Sequence, residues 1–320
     1  MILPMSVNAS FLGYLVDFAV CRGVKRQALL ELLSNPELDL NQAEQVVSIE
    51  DYCQVLQKII QDVKDEYLGL TFGMYLNLGS LGLIHQISLG ASSIQQALKL
   101  LEDYLATHFP LVQINKDVLD KYLVVTLQTS LEDELMARSI LDSTYVVVYR
   151  ELCMMMEANN ITAQLPYEDL TFYEKHLKAS ITQGEGHCLI FEIQKINESI
   201  NQRNLQFIEV LLPQYLTMLE QSKQTESFAS LVKQMILRMC APEIPNFQQV
   251  KAQFAMSDRT FQRRLTSEGQ SFRAISNNVK KEIATYLREG NQLKTQDIAY
   301  ILGYSEASAY LHAAKEWFGA

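Results

Sequence analysis

Apolar positions recur at helical spacing through most of the first hundred residues. In "IEDYCQVLQKIIQDV" the residues Tyr52, Val55, Leu56, Ile59 and Ile60 fall on one side of a helix. "FLGYLVDFAVCRGV" reads the same way. "LGSLGLIHQISLG" is punctuated by glycine. After it Ser93 stands as a helix cap, and Ile94, Ala97, Leu98, Leu101 and Leu105 form one apolar stripe. "YLVVTLQTS" and "HCLIFEI" are short β-rich runs. Between them "ARSILDSTYVVVYRELCMMMEANN" is long enough for a packed helix despite its valines, and "LQFIEVLLPQYLTMLEQ" predicts another. Residues 1–226 are therefore expected to form an α+β domain, helices with a small antiparallel sheet. The polar stretch "EQSKQTES" (220–227) is the expected linker to a second domain at 229–320.

The second domain is predicted to be all-α and to follow one plan twice. "FQQVKAQFAM" is a short amphipathic helix with Val250 and Phe254 inward. In "SDRTFQRRLTSEG" Ser257 is a cap, Asp258 complements the first turn, and Gly269 ends the helix. Phe261 and Leu265 share a buried face, while Arg259, Gln262 and Arg263 share a different, exposed one. "TQDIAYILGYSEASAYLHAAKEWFG" repeats the arrangement, with Thr295 and Ser305 as caps and Gly303 at the turn. Tyr310, Ala314 and Trp317 should face inward; Ala307, Ser308, Leu311, His312 and Lys315 should face outward. "SFRAISNNVKKEIATYLREG" links the two pairs and carries Arg273, Lys280 and Lys281. A short helix, a turn and a polar-faced second helix make a helix-turn-helix, whose second helix enters the major groove of DNA. Arginine pairs with the edge of guanine and glutamine with that of adenine. One such segment alone reads equally as a solvated amphipathic helix; two in tandem point to DNA.

Charge sharpens this picture. The chain of 320 residues has a formal net charge of -10, unevenly spread. Residues 1–228 hold 15 Lys and Arg against 29 Asp and Glu, a net of -14, whereas 229–320 hold 12 against 8, a net of +4. A basic tail on an acidic body suggests nucleic acid as partner. Five cysteines lie scattered without a CxxC pair, which fits reduced thiols and a cytoplasmic location. The apolar N-terminus lacks an early basic residue and is interrupted by Asp17, so neither a signal peptide nor a membrane span is expected.

Reactive groups do not converge in the sequence. His176, His187 and Cys188 lack short metal-ligand spacing, and no metal or other cofactor is expected. "CMMME" reads as adaptable core rather than a soft-metal site. Gly73, Gly79, Gly82 and Gly90 form no phosphate-binding loop, and no serine sits in GxSxG. No catalytic residue is assigned. Tyr145, Tyr149, Phe172 and Tyr173 are candidates either for an apolar effector pocket or for plain core.

"MSDRTFQRRLTSEGQSF", "DIAYILGYSEASAY" and "KEWFG" together resemble the signature of AraC-type (arabinose-regulator-like) bacterial transcription factors. "YLGLTFGMYLNLGSLGLIHQISLGASSIQQALKLLEDYLATHFPL" and "GEGHCLIFEIQKINESINQRN" resemble the effector domain of one branch of that family. The resemblance implies an effector-sensing and dimerising domain at 1–226 and a double helix-turn-helix reader of an operator at 229–320. It gives base-reading places to Arg259, Gln262, Arg263, Ala307, Ser308, Leu311 and His312. Ser257, Thr260, Arg264, Arg273, Lys280, Lys281 and Lys315 are the expected backbone contacts. Double-stranded DNA, a small-molecule effector, RNA polymerase and a second copy of the chain are the expected partners, with no membrane. Three departures touch the second unit. His312 stands where the family has arginine, Ala314 where it has a bulky aromatic, and Glu316 where a basic residue is common. The family also continues past Ala320 with one more helix, so the second unit is expected to be C-terminally truncated. Two rivals stay open: a DNA-binding regulator answering to a protein partner or to dimerisation, and an enzyme with a DNA-binding tail.

Overall fold

Each of two short strands runs directly into a helix, and a polar side chain makes the switch. In the computed structural model β1 (Ser6–Asn8) pairs antiparallel with β2 (Val46–Ser48). The side chain of Asn8 accepts the Ser10 N–H at 2.9 Å and opens the Ala9–Cys21 helix. Ser48 accepts the Asp51 N–H at 3.0 Å and opens Ile49–Val63. The structure describes residues 6–319 apart from 41, 43–44, 77–90, 199, 201, 223–226, 241–242 and 291–292, and of 202–206, 208, 289 and 290 the backbone alone. The glycine-punctuated stretch 78–90, with Gly79, Gly82 and Gly90, and the middle of the expected linker 220–227 therefore lie outside the described residues.

The chain forms two compact units, one ending at Leu205 and the other running from Gln206 to the C-terminus. The first is mixed α and β. Its five-stranded sheet has the order β3 (Gln113–Leu119), β4 (Tyr122–Gln128), β7 (His187–Glu192), β5 (Thr162–Leu165), β6 (Ile181–Gln183). All pairings are antiparallel except β5 with β6, which is parallel. On β4 the buried residues are Leu123, Val125 and Leu127; opposite them on β7 stand Phe191, Leu189 and His187. His187 thus occupies a core position by strand alternation alone. The Glu134–Met155 helix forms across its valines because Asp133 caps it, accepting the Met136 N–H at 2.8 Å, and because burial surrounds it. Gly69 and Gly73 bring the Leu68–Tyr75 helix hard against it. A Cβ at Gly69 would lie 2.5 Å from Ser139 O, and one at Gly73 2.7 Å from Ser143 O.

Among its described residues the second unit is all helical. It includes most of Gln202–Ser222, so the break falls upstream of the polar stretch at 220–227. The reason lies at that helix's end, where the Ser222 carbonyl accepts from Ser230 Oγ and from Gln234 Nε2. Among the described residues no helix is long and apolar enough to cross a membrane.

Candidate functional site

In the second unit the arginine-bearing segment folds as Asp258–Ser267 because both ends are specified. Ser257 Oγ accepts the Thr260 N–H at 3.2 Å. Gly269, at φ +68, lets the Gln270 N–H reach Leu265 O and its own N–H reach Thr266 O. Phe261 and Leu265 are buried. Phe261 meets Phe228, Phe254 and Phe247 edge-on at 5.2 to 5.7 Å between ring centroids. Glu268 adds a clamp: its two oxygens accept the Phe228 and Ala229 N–H groups, each at 2.8 Å, at the start of Phe228–Met239. Arg259, Gln262 and Arg263 project to solvent from the opposite face. Ser257 and Arg264 are exposed, Thr260 half-buried, and the Arg264 guanidinium lies 4.1 Å above the Phe228 ring.

The Phe272–Gly290 helix leads to the second pair, Thr295–Ile301 and Ala307–Phe318. Gly303, at φ +70, repeats the glycine turn, with Tyr304 N–H on Ala299 O. The expected caps are corrected here. Lys294 and Glu306 hold the cap positions, and neither side chain makes a capping bond. Thr295 is already inside its helix, and Ser305 lies one residue too early to reach the first-turn N–H groups. Tyr310 is buried, while Ala314 and Trp317 are half-buried. Ser308, Leu311, His312 and Lys315 are exposed and Ala307 half-buried; His312 Nδ1 stands 3.7 Å from Glu316. On the connecting helix Arg273 and Lys281 are exposed. Lys280 is half-buried, its ammonium 4.3 Å over the Tyr304 ring, and burial lowers its pKa.

The first unit holds two polar features, one inside its core and one that opens from the core to solvent. At one, three groups converge on Asp142. Tyr167 donates to Oδ1 at 2.8 Å, His187 Nε2 lies 2.9 Å from the same oxygen, and Tyr173 donates to Oδ2 at 2.6 Å. Arg138 covers Tyr167, 4.5 Å over its ring, and its Nε stands 3.8 Å from Asp142 Oδ2. Burial, then the Asp142 charge, raises both phenol pKa values. Of the four candidates for an effector pocket or plain core, Tyr173 belongs to this cluster and Phe172 stacks on Tyr67 at 4.1 Å. Tyr145 is buried and donates to Cys188 O at 3.3 Å, and Tyr149 is buried beside Cys153. His176 is spent on its own helix, at 2.7 Å from Phe172 O. Among the described residues no group of three or more His, Cys, Asp or Glu stands together as a metal site.

The other feature lies between the Ile94–His108 and Glu134–Met155 helices. A cavity of about 270 Å³ has Ile94, Met155 and Met156 as its apolar wall and Glu157, Asn160, Lys195 and Glu198 as its polar one. A void of about 10 Å³ is lined by Ala97, Leu98, Leu101, Leu152, Met155 and Glu151. Glu151 is 2% exposed, and its Oε1 has no hydrogen-bond partner. Burial holds its carboxyl well above the usual carboxylate range. Glu151, Asp142 and Lys195 belong to no motif in the sequence. Glu151 had a signal: it follows Val148 by three and precedes Met155 by four, a charge on an apolar stripe.

Comparison with known proteins supplies the context. The family model described as the arabinose-binding domain of AraC transcription regulator, N-terminal, matches residues 23–191. An HTH-type transcriptional regulator of Mycobacterium tuberculosis is 28% identical over 137 residues, 42% of this chain and 40% of that protein. The alignment thus spans about two fifths of that relative's length. The HTH-type transcriptional regulator VqsM of Pseudomonas aeruginosa is 23% identical over 78% of this chain and 81% of its own. The ornithine utilization regulator of the same organism is 20% identical over 98% of this chain and 94% of its own. The crystal structure of transcriptional regulator CdpR from Pseudomonas aeruginosa matches over 83% of this chain and 88% of its own at 18% identity and a TM-score of 0.39.

Proposed function

The chain belongs to the AraC transcription regulators whose N-terminal part is an arabinose-binding domain, and from that premise we propose that it is a sequence-specific DNA-binding regulator governed by a small-molecule effector. The observation that carries this reading is the outer face of Asp258–Ser267. Arg259, Gln262 and Arg263 project together from a helix whose other face is locked into a ring cluster. Such a face is fixed in direction before it meets a ligand, which is what base recognition needs.

In this reading Phe247–Lys251 with Asp258–Ser267, and Thr295–Ile301 with Ala307–Phe318, are two helix-turn-helix units. The second helix of each enters a major groove. Arg259, Gln262 and Arg263 read bases in the first. Ala307, Ser308, Leu311 and His312 do so in the second, where exposed Leu311 suits a thymine methyl. Ser257, Thr260, Arg264, Arg273, Lys280, Lys281 and Lys315 contact phosphates and set the register. The effector sits in the N-terminal unit. It acts only by binding one arrangement of the chain better than another. A relative named for ornithine utilization supports a link to small-metabolite control. A homodimer and contact with RNA polymerase belong to the same reading.

The test is base choice. Operators come from genome-wide mapping of bound DNA with and without candidate metabolites, and affinities from fluorescence anisotropy. Arg263→Ala and Gln262→Ala are each expected to cost about 1–3 kcal/mol on cognate DNA and to relax discrimination locally. Lys280→Ala should weaken all sequences alike. Equal losses on cognate and random DNA for Arg263→Ala would overturn the base-reading assignment.

A further inference from the structure

Glu151 has no reason to be where it is if the first unit is only a packed core. Its Oε1 is buried and unpartnered, and the void beside it, about 10 Å³, is at the lower limit for one water-sized polar group. Helical spacing places Glu151 and Met155 on one stripe, and Ile94, Ala97 and Leu101 on the stripe of the neighbouring helix. The two cavities are lined by successive turns of these helices and share Met155 as a wall. Met155 is unbranched and flexible, so the wall between the small void and the large one is an adaptable one.

The chemistry of the walls selects the guest. Burial favours the neutral form of the Glu151 carboxyl, and a hydrogen-bonded cation is what favours its ionised form there. The cation nearest in the lining, Lys195, is already paired with Glu198 at 2.9 Å. Glu157 and Glu198 make the polar wall acidic overall. Ile94, Met155 and Met156 offer cover for a short run of methylenes. We infer that this pair of cavities is the effector site and that it takes a small primary amine, with its ammonium on Glu151 and its stem running past Met155 into the larger cavity. The inference rests on the ligand-responsive reading above and gives that ligand a chemical class.

The experiment uses the full-length protein. Thermal unfolding is followed with millimolar ethanolamine, putrescine or γ-aminobutyrate, and with ethylene glycol and butyrate as amine-free controls at matched ionic strength. At least one amine is expected to raise the melting temperature while the controls do not. Glu151→Gln keeps the shape and removes the charge, and should weaken that amine about ten- to a hundredfold. Ala97→Leu keeps Glu151 and fills the void, and should abolish the response; it carries the test should Glu151→Gln fail to fold. The site is overturned if no amine stabilises the protein, if controls act equally, or if the response survives in Glu151→Gln. Salt-dependent DNA binding is measured on the same samples. DNA binding without an amine response removes the amine site alone. An amine response without any DNA binding removes the regulator reading and leaves the site standing.

Discussion

At Glu151 ligand recognition and stability pull against each other. An unpartnered buried carboxyl oxygen typically costs about 1–3 kcal/mol, and an apolar residue of similar volume removes that cost. Glu151→Leu is therefore expected to raise the unfolding free energy by that amount in urea titrations. The gain should also depend on pH. The folded protein holds this carboxyl above the carboxylate range, so the unfolded chain loses the proton first as pH rises. Stability of the native protein should fall, relative to Glu151→Leu, from the ordinary glutamate pKa of about 4.3 upward. Parallel stability curves for the two proteins across that range would show that Glu151 has a partner in solution. Asp142 is the opposite case, equally buried but met by Tyr167, Tyr173 and His187. Sequence could flag both as charges within an apolar helix. Arg138, four residues before Asp142, is a partner that sequence can show, but the three hydrogen-bonding groups that meet Asp142 come from residues 167–187 and that pairing depends on the fold.

Elements with local specifications were the legible ones. Ser93, Ser257, Gly269 and Gly303 each declare a helix end through a side chain or a positive φ, and the structure uses each of them that way. Thr295 and Ser305 misled because a capping residue type near a helix start is common, and only its position relative to the first turn matters. β3 was not legible because it is a polar edge strand with Ile114 alone buried, and β5 and β6 are too short to show alternation. The tight approach of Gly69 and Gly73 to the Glu134–Met155 helix was equally silent, since a glycine in a helix does not announce what it faces. The domain boundary is the element-scale question with an experimental answer. A fragment beginning at 229 lacks Phe228, whose ring touches Phe254 and Phe261, and loses the Ser227 cap. It also lacks Tyr215, buried beside Cys240. Loss of a buried phenylalanine side chain alone costs about 3–5 kcal/mol. A 206–320 fragment is thus expected to unfold cooperatively in circular dichroism, and a 229–320 fragment to melt far lower or without a sharp transition. Equal melting of the two would place the functional boundary after residue 228.

At the scale of the whole molecule an acidic chain is proposed to bind DNA, and salt dependence tests that conflict. Residues 206–320 carry 13 Lys and Arg against 11 Asp and Glu, while the full chain stands at -10. Repulsion between that excess and a phosphate backbone acts at long range and decays over about 8 Å at physiological ionic strength. Contacts made at the surface of the second unit persist after the repulsion is screened. The 206–320 fragment should therefore bind non-specific DNA more tightly than the full chain at low salt, and the gap should close as salt rises. Each neutralised phosphate contributes roughly 0.9 to the slope of log affinity against log salt. Arg264 lies off the Arg259–Gln262–Arg263 face, with its guanidinium held above Phe228. Arg264→Ala should therefore make the slope shallower by about one while leaving base preference intact. Stacking keeps that charge in place before DNA arrives, so little side-chain freedom is lost on binding. A fragment that folds yet shows no salt-dependent binding to any DNA at low ionic strength would reduce these arginines to a solvated face, whatever the family of the chain.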